Sequence, residues 1–319
     1  MYIQLLILIA ALALIIYGAD FLIDGASDLA RRLGLSEFVI GLTIVAIGTS
    51  APEAIVSIVG AVNKNSEIAI GNVIGSNIFN TLLILGLTAL FVPIEITKEN
   101  KKKDIPMNIV TTILLFILGM NYKLFGVGEN NISRIDGIIF LVIFVLYIYS
   151  SLRKKNQSNT NDTQIKFKYS SLLAVIFIIG GLAALIFGGQ LFVDSAINIA
   201  KYMGVSDKFI AVTILAGGTS LPELATCIVA AKKKKGALAL GNILGSNIFN
   251  ILMVLGVSSI ICPISISSID IVDFSVLFLS AIMIWIAAFT GEKNKIDKYD
   301  SIAFLLLEIL FILRLIIKE

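Results

Sequence analysis

The chain alternates long apolar runs with short polar intervals, and the runs have the length of a membrane crossing. About 20 mainly apolar residues carry a helix through the hydrocarbon layer. Ten such stretches can be read, at roughly 2–23, 37–62, 67–92, 106–122, 135–152, 170–193, 207–231, 237–262, 271–290 and 300–317. The first has little basic charge before it and no small-residue cleavage site after it, so a retained span is expected rather than a removed signal peptide. One polar interval stands out. Residues 153–169, RKKNQSNTNDTQIKFKY, are too rich in Asn, Ser, Thr and Lys to build a core. They read as a linker between two five-span halves, residues 1–152 and 170–319.

Composition agrees with this pattern. Of the 319 residues 57% are hydrophobic and 15% charged, with a mean hydropathy of +0.96, against about 45–50% and about 25% in soluble domains. A soluble globule, a disordered chain and a disulfide scaffold are excluded. The expected fold class is an all-α polytopic membrane protein. The absence of histidine removes imidazole metal sites, His-based acid–base chemistry and catalytic triads. Cys227 and Cys262 form no CxxC pair and read as small packing residues. The net charge of +3 matters less than where the charges lie. With the N-terminus placed outside, 18 of the 25 Lys and Arg residues fall in inside intervals and 7 fall outside. The positive-inside rule then predicts both termini outside and the linker in the cytoplasm. Lys232 to Lys235 are expected to mark the cytoplasmic edge and to attract anionic lipid.

The two halves repeat. A shift of 170 residues aligns them without a gap from Gly18 to Gly86, placing Gly48-Thr49-Ser50-Ala51-Pro52-Glu53 on Gly218-Thr219-Ser220-Leu221-Pro222-Glu223. The stretch Gly71-Asn72-Val73-Ile74-Gly75-Ser76-Asn77-Ile78-Phe79-Asn80 falls on Gly241-Asn242-Ile243-Leu244-Gly245-Ser246-Asn247-Ile248-Phe249-Asn250, and Asp24 falls on Asp194. Five spans per half is an odd number, so the second half must enter the membrane in the opposite sense. That is the inverted-repeat plan of many secondary transporters, whose site lies near the midplane between the repeats.

Glu53 and Glu223 fall well within their spans, where an ionised side chain costs about 2.5–3.5 kcal/mol on the lenient insertion scale. Neither has a Lys or Arg near it within its span. A bound cation accounts for both. Duplicated packing would keep small residues but would not require a carboxylate in each copy. Pro52 and Pro222 each remove a backbone donor and disfavour α geometry at the preceding residue, while Gly48 and Gly218 loosen the same turn. Both helices are therefore predicted to break, freeing carbonyls of Ala46, Ile47, Ala216 and Gly217. Thr49, Ser50, Thr219 and Ser220 add hydroxyl oxygens. Asn72, Ser76 and Asn80 recur every four residues and share a helical face, as do Asn242, Ser246 and Asn250. Gly71, Gly75, Gly241 and Gly245 beside them are expected to let the broken helices come close. Such a set of hard oxygens suits Ca²⁺, Na⁺, Mg²⁺ or Mn²⁺, and flexible ligands in a deep cavity favour Ca²⁺ over the tightly hydrated Mg²⁺.

The paired GTS-x-PE and GN-xx-GSN-xx-N motifs resemble the alpha repeats of the sodium/calcium exchanger family, within the calcium/cation antiporter superfamily. The resemblance covers essentially the whole membrane region. It implies ten transmembrane helices in two inverted five-helix repeats with helices 2 and 7 broken. The implied function is exchange of Na⁺ for Ca²⁺, usually three for one and hence electrogenic, with both ions as substrates and no cofactor. By match of motif, Glu53, Glu223, Thr49 and Thr219 would hold calcium. Ser50, Ser76, Ser220 and Ser246, with carbonyls of Ala46 and Ala216, would serve flanking sodium sites, and Asn80 and Asn250 would complete the centre. Some relatives carry aspartate at one of these two positions; asparagine at both argues for potassium independence. Ala51 stands where most relatives, like Leu221 of the second copy, have leucine. With no large cytoplasmic insert, calcium-sensing regulation is not expected.

A proton-coupled calcium exchanger is the alternative within the same superfamily. A cation channel is disfavoured by two broken helices with no pore-lining ring, and an intramembrane enzyme by the lack of any nucleophile–base pair. The expected partners are Ca²⁺, Na⁺ and the lipid bilayer of the plasma membrane, with nothing pointing to nucleic acid or to an obligatory protein partner. Glu308, in the last span, and Asp20 have no acidic counterpart in the other half.

Overall fold

A computed structural model describes residues 2–120, 130–153, 168–203, 216–267, 269–290 and 294–318. The apolar runs are helices, several of them closed by caps that the sequence supplies. Helix α1 is Tyr2–Leu33, and α2 (Glu37–Thr49) starts at Ser36, whose hydroxyl accepts the Val39 N–H at 3.2 Å. Helix α3 is Ala51–Val62 and α4 is Ser66–Phe91, with Asn65 capping α4 through the Ile68 N–H. Helix α5 (Ile105–Gly119) follows a π-helical turn, Asn100–Asp104. Helix α6 (Arg134–Leu152) begins with a capping box between Ser133 and Asp136.

The second half starts with α7, Ser171–Tyr202, capped by Ser170. A short helical turn, Ala216–Gly218, precedes α8 (Leu221–Lys232), α9 (Gly236–Ile261), α10 (Ile271–Ala287) and α11 (Lys298–Lys318). Helix α10 has its own capping box, Asp270 with Asp273. Five of these helices are each long and apolar enough to cross a membrane, and a sixth span results if α2 and α3 are taken as one bent element. The long first and sixth apolar runs extend past their predicted ends, to Leu33 and Tyr202. Most of the span predicted at 207–231 is described only from residue 216, and linker residues 154–167 lie outside the described residues.

The layers follow from burial. Within their most apolar windows α9 is 83% buried and α4 72%, whereas α1 and α7 are each 33% buried. Helices α4 and α9 therefore form the centre. Helices α1 and α7 lie along each other at the periphery, with much of their surface left for lipid. Helix α6 packs on the second part of α9 and α11 on the second part of α4, so each half braces the other's central helix.

Two short antiparallel ladders also join the halves. Strand β1 (Ile94–Glu95) pairs with β4 (Lys295–Ile296), and β2 (Asn131–Ile132) pairs with β3 (Ile264–Ser265). The turns after α3 and α8 are alike as well. Lys64 and Lys234 both adopt φ 58°, a left-handed conformation that costs an L-residue roughly 1–2 kcal/mol. In each turn the next N–H reaches back to a carbonyl at 2.8 Å, Asn65 to Gly60 and Lys235 to Ala230.

The lysines that follow α8 are not free for lipid alone. Lys233 pairs with Asp20 at 2.8 Å and Asp24 at 2.6 Å on α1, and Lys235 donates to Ser27 at 2.5 Å. Lys168 joins Asp24 at 2.8 Å, and its backbone N–H reaches Asp28 at 2.9 Å. Asp24 is thus consumed by an ion-pair cluster, while its repeat counterpart Asp194 is exposed.

Candidate cation site

The break expected at Ser50-Ala51-Pro52 is present. Ser50 leaves helical geometry at φ −82°, ψ 11°, and the chain bends by 49° between α2 and α3. Ser220 takes nearly the same conformation, φ −89°, ψ 8°, between the short turn and α8. A proline occupies the first turn of α3 and of α8, where its missing N–H breaks no helical bond. Glu53 and Glu223 sit one residue further on, and both are fully buried.

The shortest hydrogen bonds to the carboxylates cross between the halves. The Ser50 hydroxyl donates to Glu223 Oε1 at 2.7 Å, and the Ser220 hydroxyl donates to Glu53 Oε1 at 2.9 Å. Ser246 adds a longer contact to Glu223 Oε1 at 3.4 Å. The second oxygen of each acid, Glu53 Oε2 and Glu223 Oε2, has no hydrogen-bond partner among the described residues. The two carboxylates lie within electrostatic reach of one another. A buried anionic oxygen left without a donor is costly, and here the arrangement occurs twice.

The opposite wall comes from the centres of α4 and α9. Each helix widens into a π segment at the site, Asn80–Leu85 in α4 and Asn250–Val254 in α9. Such turns often mark functional positions because the extra residue re-aims the side chains. Asn80 and Asn250 are fully buried, and the side-chain oxygen of each lacks a partner among the described residues. Their amide nitrogens are engaged: Asn80 Nδ2 donates to Asn247 Oδ1 at 3.3 Å, and Asn250 Nδ2 to Asn77 Oδ1 at 3.1 Å. Four matched, buried, unpartnered oxygens therefore arise from Glu53, Glu223, Asn80 and Asn250.

The remaining predicted residues divide. Thr49 is buried and its hydroxyl donates to Asn242 Oδ1 at 3.2 Å, with a weaker contact to the Ala46 carbonyl at 3.4 Å. The Ala46 carbonyl also accepts the Ser50 N–H at 3.0 Å, so the break leaves it one lone pair rather than a free carbonyl. The Thr219 hydroxyl is buried and unpartnered among the described residues. Ala216 opens the short turn before Ser220. Ser76 and Thr219 line a cavity of about 680 Å³ whose wall also includes the exposed Glu67, Gln190 and Asp194. Ser246, the counterpart of Ser76, is closed off from solvent.

The glycines differ in the same way. A Cβ on Gly241 or Gly245 would strike the α2 backbone at Phe38 or Leu42, as expected for close approach. A Cβ on Gly71 or Gly75 would meet nothing beyond its own helical backbone within 4 Å among the described residues, and both glycines border the cavity.

Asn77 and Asn247 are buried neighbours of Asn80 and Asn250 that a four-residue periodicity does not select, because they lie one position off the polar face. Their identity in both motifs was the available signal. Asn72 secures the first break from behind, donating to the Glu53 carbonyl at 3.0 Å and to Ser57 at 2.9 Å. In the second copy Asn242 meets the Cys227 sulfur at 3.5 Å instead. Among the described residues no group of three or more Asp, Glu, Cys or His side chains could hold a metal ion. The acidic side chains of the candidate site are the two carboxylates, Glu53 and Glu223, and the other oxygens beside them are neutral.

Comparison with known proteins places the chain in a family. The family profile described as sodium/calcium exchanger protein matches residues 3–153 and 173–317. The chain is 40% identical over 271 residues to the putative antiporter CaxA of Alkalimonas amylolytica, covering 82% of each. It is 30% identical over 342 residues to the sodium/calcium exchanger MaX1 of Methanosarcina acetivorans, covering 97% of each. A solved structure of the sodium-calcium exchanger NCX_Mj, soaked without Na⁺ and Ca²⁺, superposes with a TM-score of 0.84 at 33% identity over 98% of both chains. The family is one of transporters, not enzymes, and its substrates are the ions themselves. The chain belongs to the sodium/calcium exchanger family.

Proposed function

We propose that this protein exchanges Na⁺ for Ca²⁺ across the plasma membrane by alternating access, with Glu53, Glu223, Asn80 and Asn250 as the central ligands. The carrying observation is the set of four buried oxygens, matched between the halves, that have no partner among the described residues. Two carboxylates balance one divalent ion, and Ca²⁺ takes six to eight oxygens in flexible geometry. Thr49 and Thr219 are assigned to the calcium site. Ser50, Ser76, Ser220, Ser246 and the carbonyls of Ala46 and Ala216 are assigned to flanking sodium sites.

Coupling arises from competition, since the same two carboxylates serve either Ca²⁺ or Na⁺. Three Na⁺ against two carboxylates leaves one positive charge, so turnover carries current. Asparagine at both 80 and 250 makes exchange independent of K⁺. The architecture we assign is ten membrane helices in two inverted five-helix repeats, residues 1–152 and 170–319, joined by a cytoplasmic linker at 153–169, with both termini outside. The bent α2/α3 pair is the second span, and the turn with α8 is the seventh. The strand ladders support this sidedness. They join interval 92–104 to interval 291–297, which the charge bias places inside, and interval 130–133 to interval 262–267, which it places outside. Helices α1 and α7, packed on each other and poorly buried, are suited to slide against the α4/α9 centre.

The test is ⁴⁵Ca²⁺ uptake into sodium-loaded proteoliposomes diluted into sodium-free buffer, with a pH jump as control. Uptake driven by the sodium gradient and indifferent to the proton gradient is expected. Uptake driven by the proton gradient alone would replace this reading with proton-coupled exchange.

A further inference from the structure

A side-chain amide presents an oxygen at one end and an NH₂ at the other, and only its hydrogen-bond network decides which end faces a given site. At Asn80 and Asn250 that decision matters, because an NH₂ turned toward a cation repels it. Asn77 and Asn247 supply the missing constraint. They are 1% and 2% exposed, lie on α4 and α9, and are the residues that accept the NH₂ groups of the opposite ligand asparagines.

The two acceptors are themselves fixed. Asn77 Nδ2 donates to the Asn247 carbonyl at 3.0 Å, so the Asn77 oxygen is directed at Asn250. Asn247 Nδ2 donates to the Thr81 hydroxyl at 2.9 Å, so the Asn247 oxygen is directed at Asn80. The arrangement is crossed: an asparagine of each half orients the ligand asparagine of the other. It is not fully symmetric, because Ile251 stands where the first half has Thr81.

Resting on the reading of Asn80 and Asn250 as ligands, we propose that Asn77 and Asn247 are positioning residues that lock those two amides with their oxygens toward the ion. They contribute to cation affinity through their partners and not by touching the ion. Each lock is one hydrogen bond between buried groups, and its loss lowers Ca²⁺ affinity about two- to tenfold. The lock also ties α4 to α9, so the ligand-bearing centre travels as one unit.

A double-mutant cycle tests this, read by equilibrium ⁴⁵Ca²⁺ binding to the purified full chain and by the apparent Ca²⁺ KM and maximal rate of sodium-driven uptake. Asn247→Leu should weaken binding and raise KM while the maximal rate holds. In an Asn80→Ala background the same substitution should add nothing, because its only route to the ion is gone. Asn77→Leu with Asn250→Ala should behave alike. Should Asn247→Leu fail to fold, Asn247→Asp keeps an acceptor for Asn80 and accepts the Thr81 hydroxyl. In that variant Asn80→Ala should cost as much affinity as it does in the unmodified protein. Additive losses in either leucine cycle, or an Asn247→Asp protein in which Asn80→Ala costs less affinity than in the unmodified protein, overturn the positioning role and leave the ligand reading intact. An Asn80→Ala variant with unchanged Ca²⁺ affinity overturns the ligand reading and the proposal together.

Discussion

Gly245→Ala is the most direct probe of how closely α2 must approach α9. A Cβ at residue 245 would lie 2.7 Å from the Ala46 Cβ and 2.7 Å from the Leu42 Cα, and nearer still to the Leu42 carbonyl oxygen. Ordinary contact begins at 3.4 Å, so α2 must retreat by about 1 Å to clear the Leu42 carbonyl. The obstacle is backbone and cannot be relieved by a rotamer change. Overpacking of this kind costs about 1–3 kcal/mol. The retreat also carries Thr49 and Ala46 with it, and it stretches the 3.2 Å bond from Thr49 to Asn242 beyond hydrogen-bonding range. Loss of both thermal stability in detergent and apparent Ca²⁺ affinity in proteoliposomes is expected, the latter by on the order of tenfold if about 1.4 kcal/mol falls on the site. Gly180→Ala is the control, since that position is exposed on α7 with nothing within 4 Å among the described residues. A Gly245→Ala protein that melts and transports like the Gly180→Ala control would refute the claim that this crossing sets the site.

Two further outcomes follow from groups outside the site. Lys233→Ala removes both ion pairs to α1, at Asp20 and Asp24, and so loosens one end of the α1/α7 pair from the α8–α9 hairpin, which the bond from Lys235 to Ser27 still holds. It should shift the balance between the two access states, read as a change in the ratio of apparent Ca²⁺ affinities on the two sides of the vesicle, with total binding kept; an unchanged ratio would show that the cluster does not bear on the transition. Glu308 is 2% exposed on α11, with Oε2 unpartnered among the described residues and no acidic counterpart in the first half. Glu308→Gln should leave sodium-driven uptake within about twofold, and Glu308→Leu should raise the melting temperature, because removing a buried unsatisfied group recovers about 1–3 kcal/mol; abolished exchange in the glutamine variant would make Glu308 a ligand.

The site was largely legible in the sequence because its residues are duplicated at a constant offset. Helix breaks at Pro52 and Pro222 are local chemistry, and the burial of Glu53 and Glu223 follows from span position alone. Partnership is what a linear reading misses. That Ser50 serves Glu223, and Ser220 serves Glu53, depends on two motifs meeting across the molecule. Asn77 and Asn247 lie off the polar stripe by one residue, and their hydrogen bonds to Asn250 and Asn80 appear only when α4 faces α9. The π turns at Asn80 and Asn250 have no clear signature in composition. Lys233 read as a lipid-facing charge because Asp20 and Asp24 are more than 200 residues away along the chain. Apolarity alone ends α1 and α7 too early, because the polar residues that continue both helices look unlike membrane, although Asp28 and Ser195 among them are buried.

The central claim is that Glu53 and Glu223 together hold the transported ion. Equilibrium ⁴⁵Ca²⁺ binding to Glu53→Gln and Glu223→Gln, with melting curves to establish folding, tests it most directly. Glutamine keeps an oxygen for the Ser220 or Ser50 hydroxyl and removes one negative charge, so each protein should fold and neither should bind Ca²⁺ measurably. Retained binding by either folded variant would contradict the account.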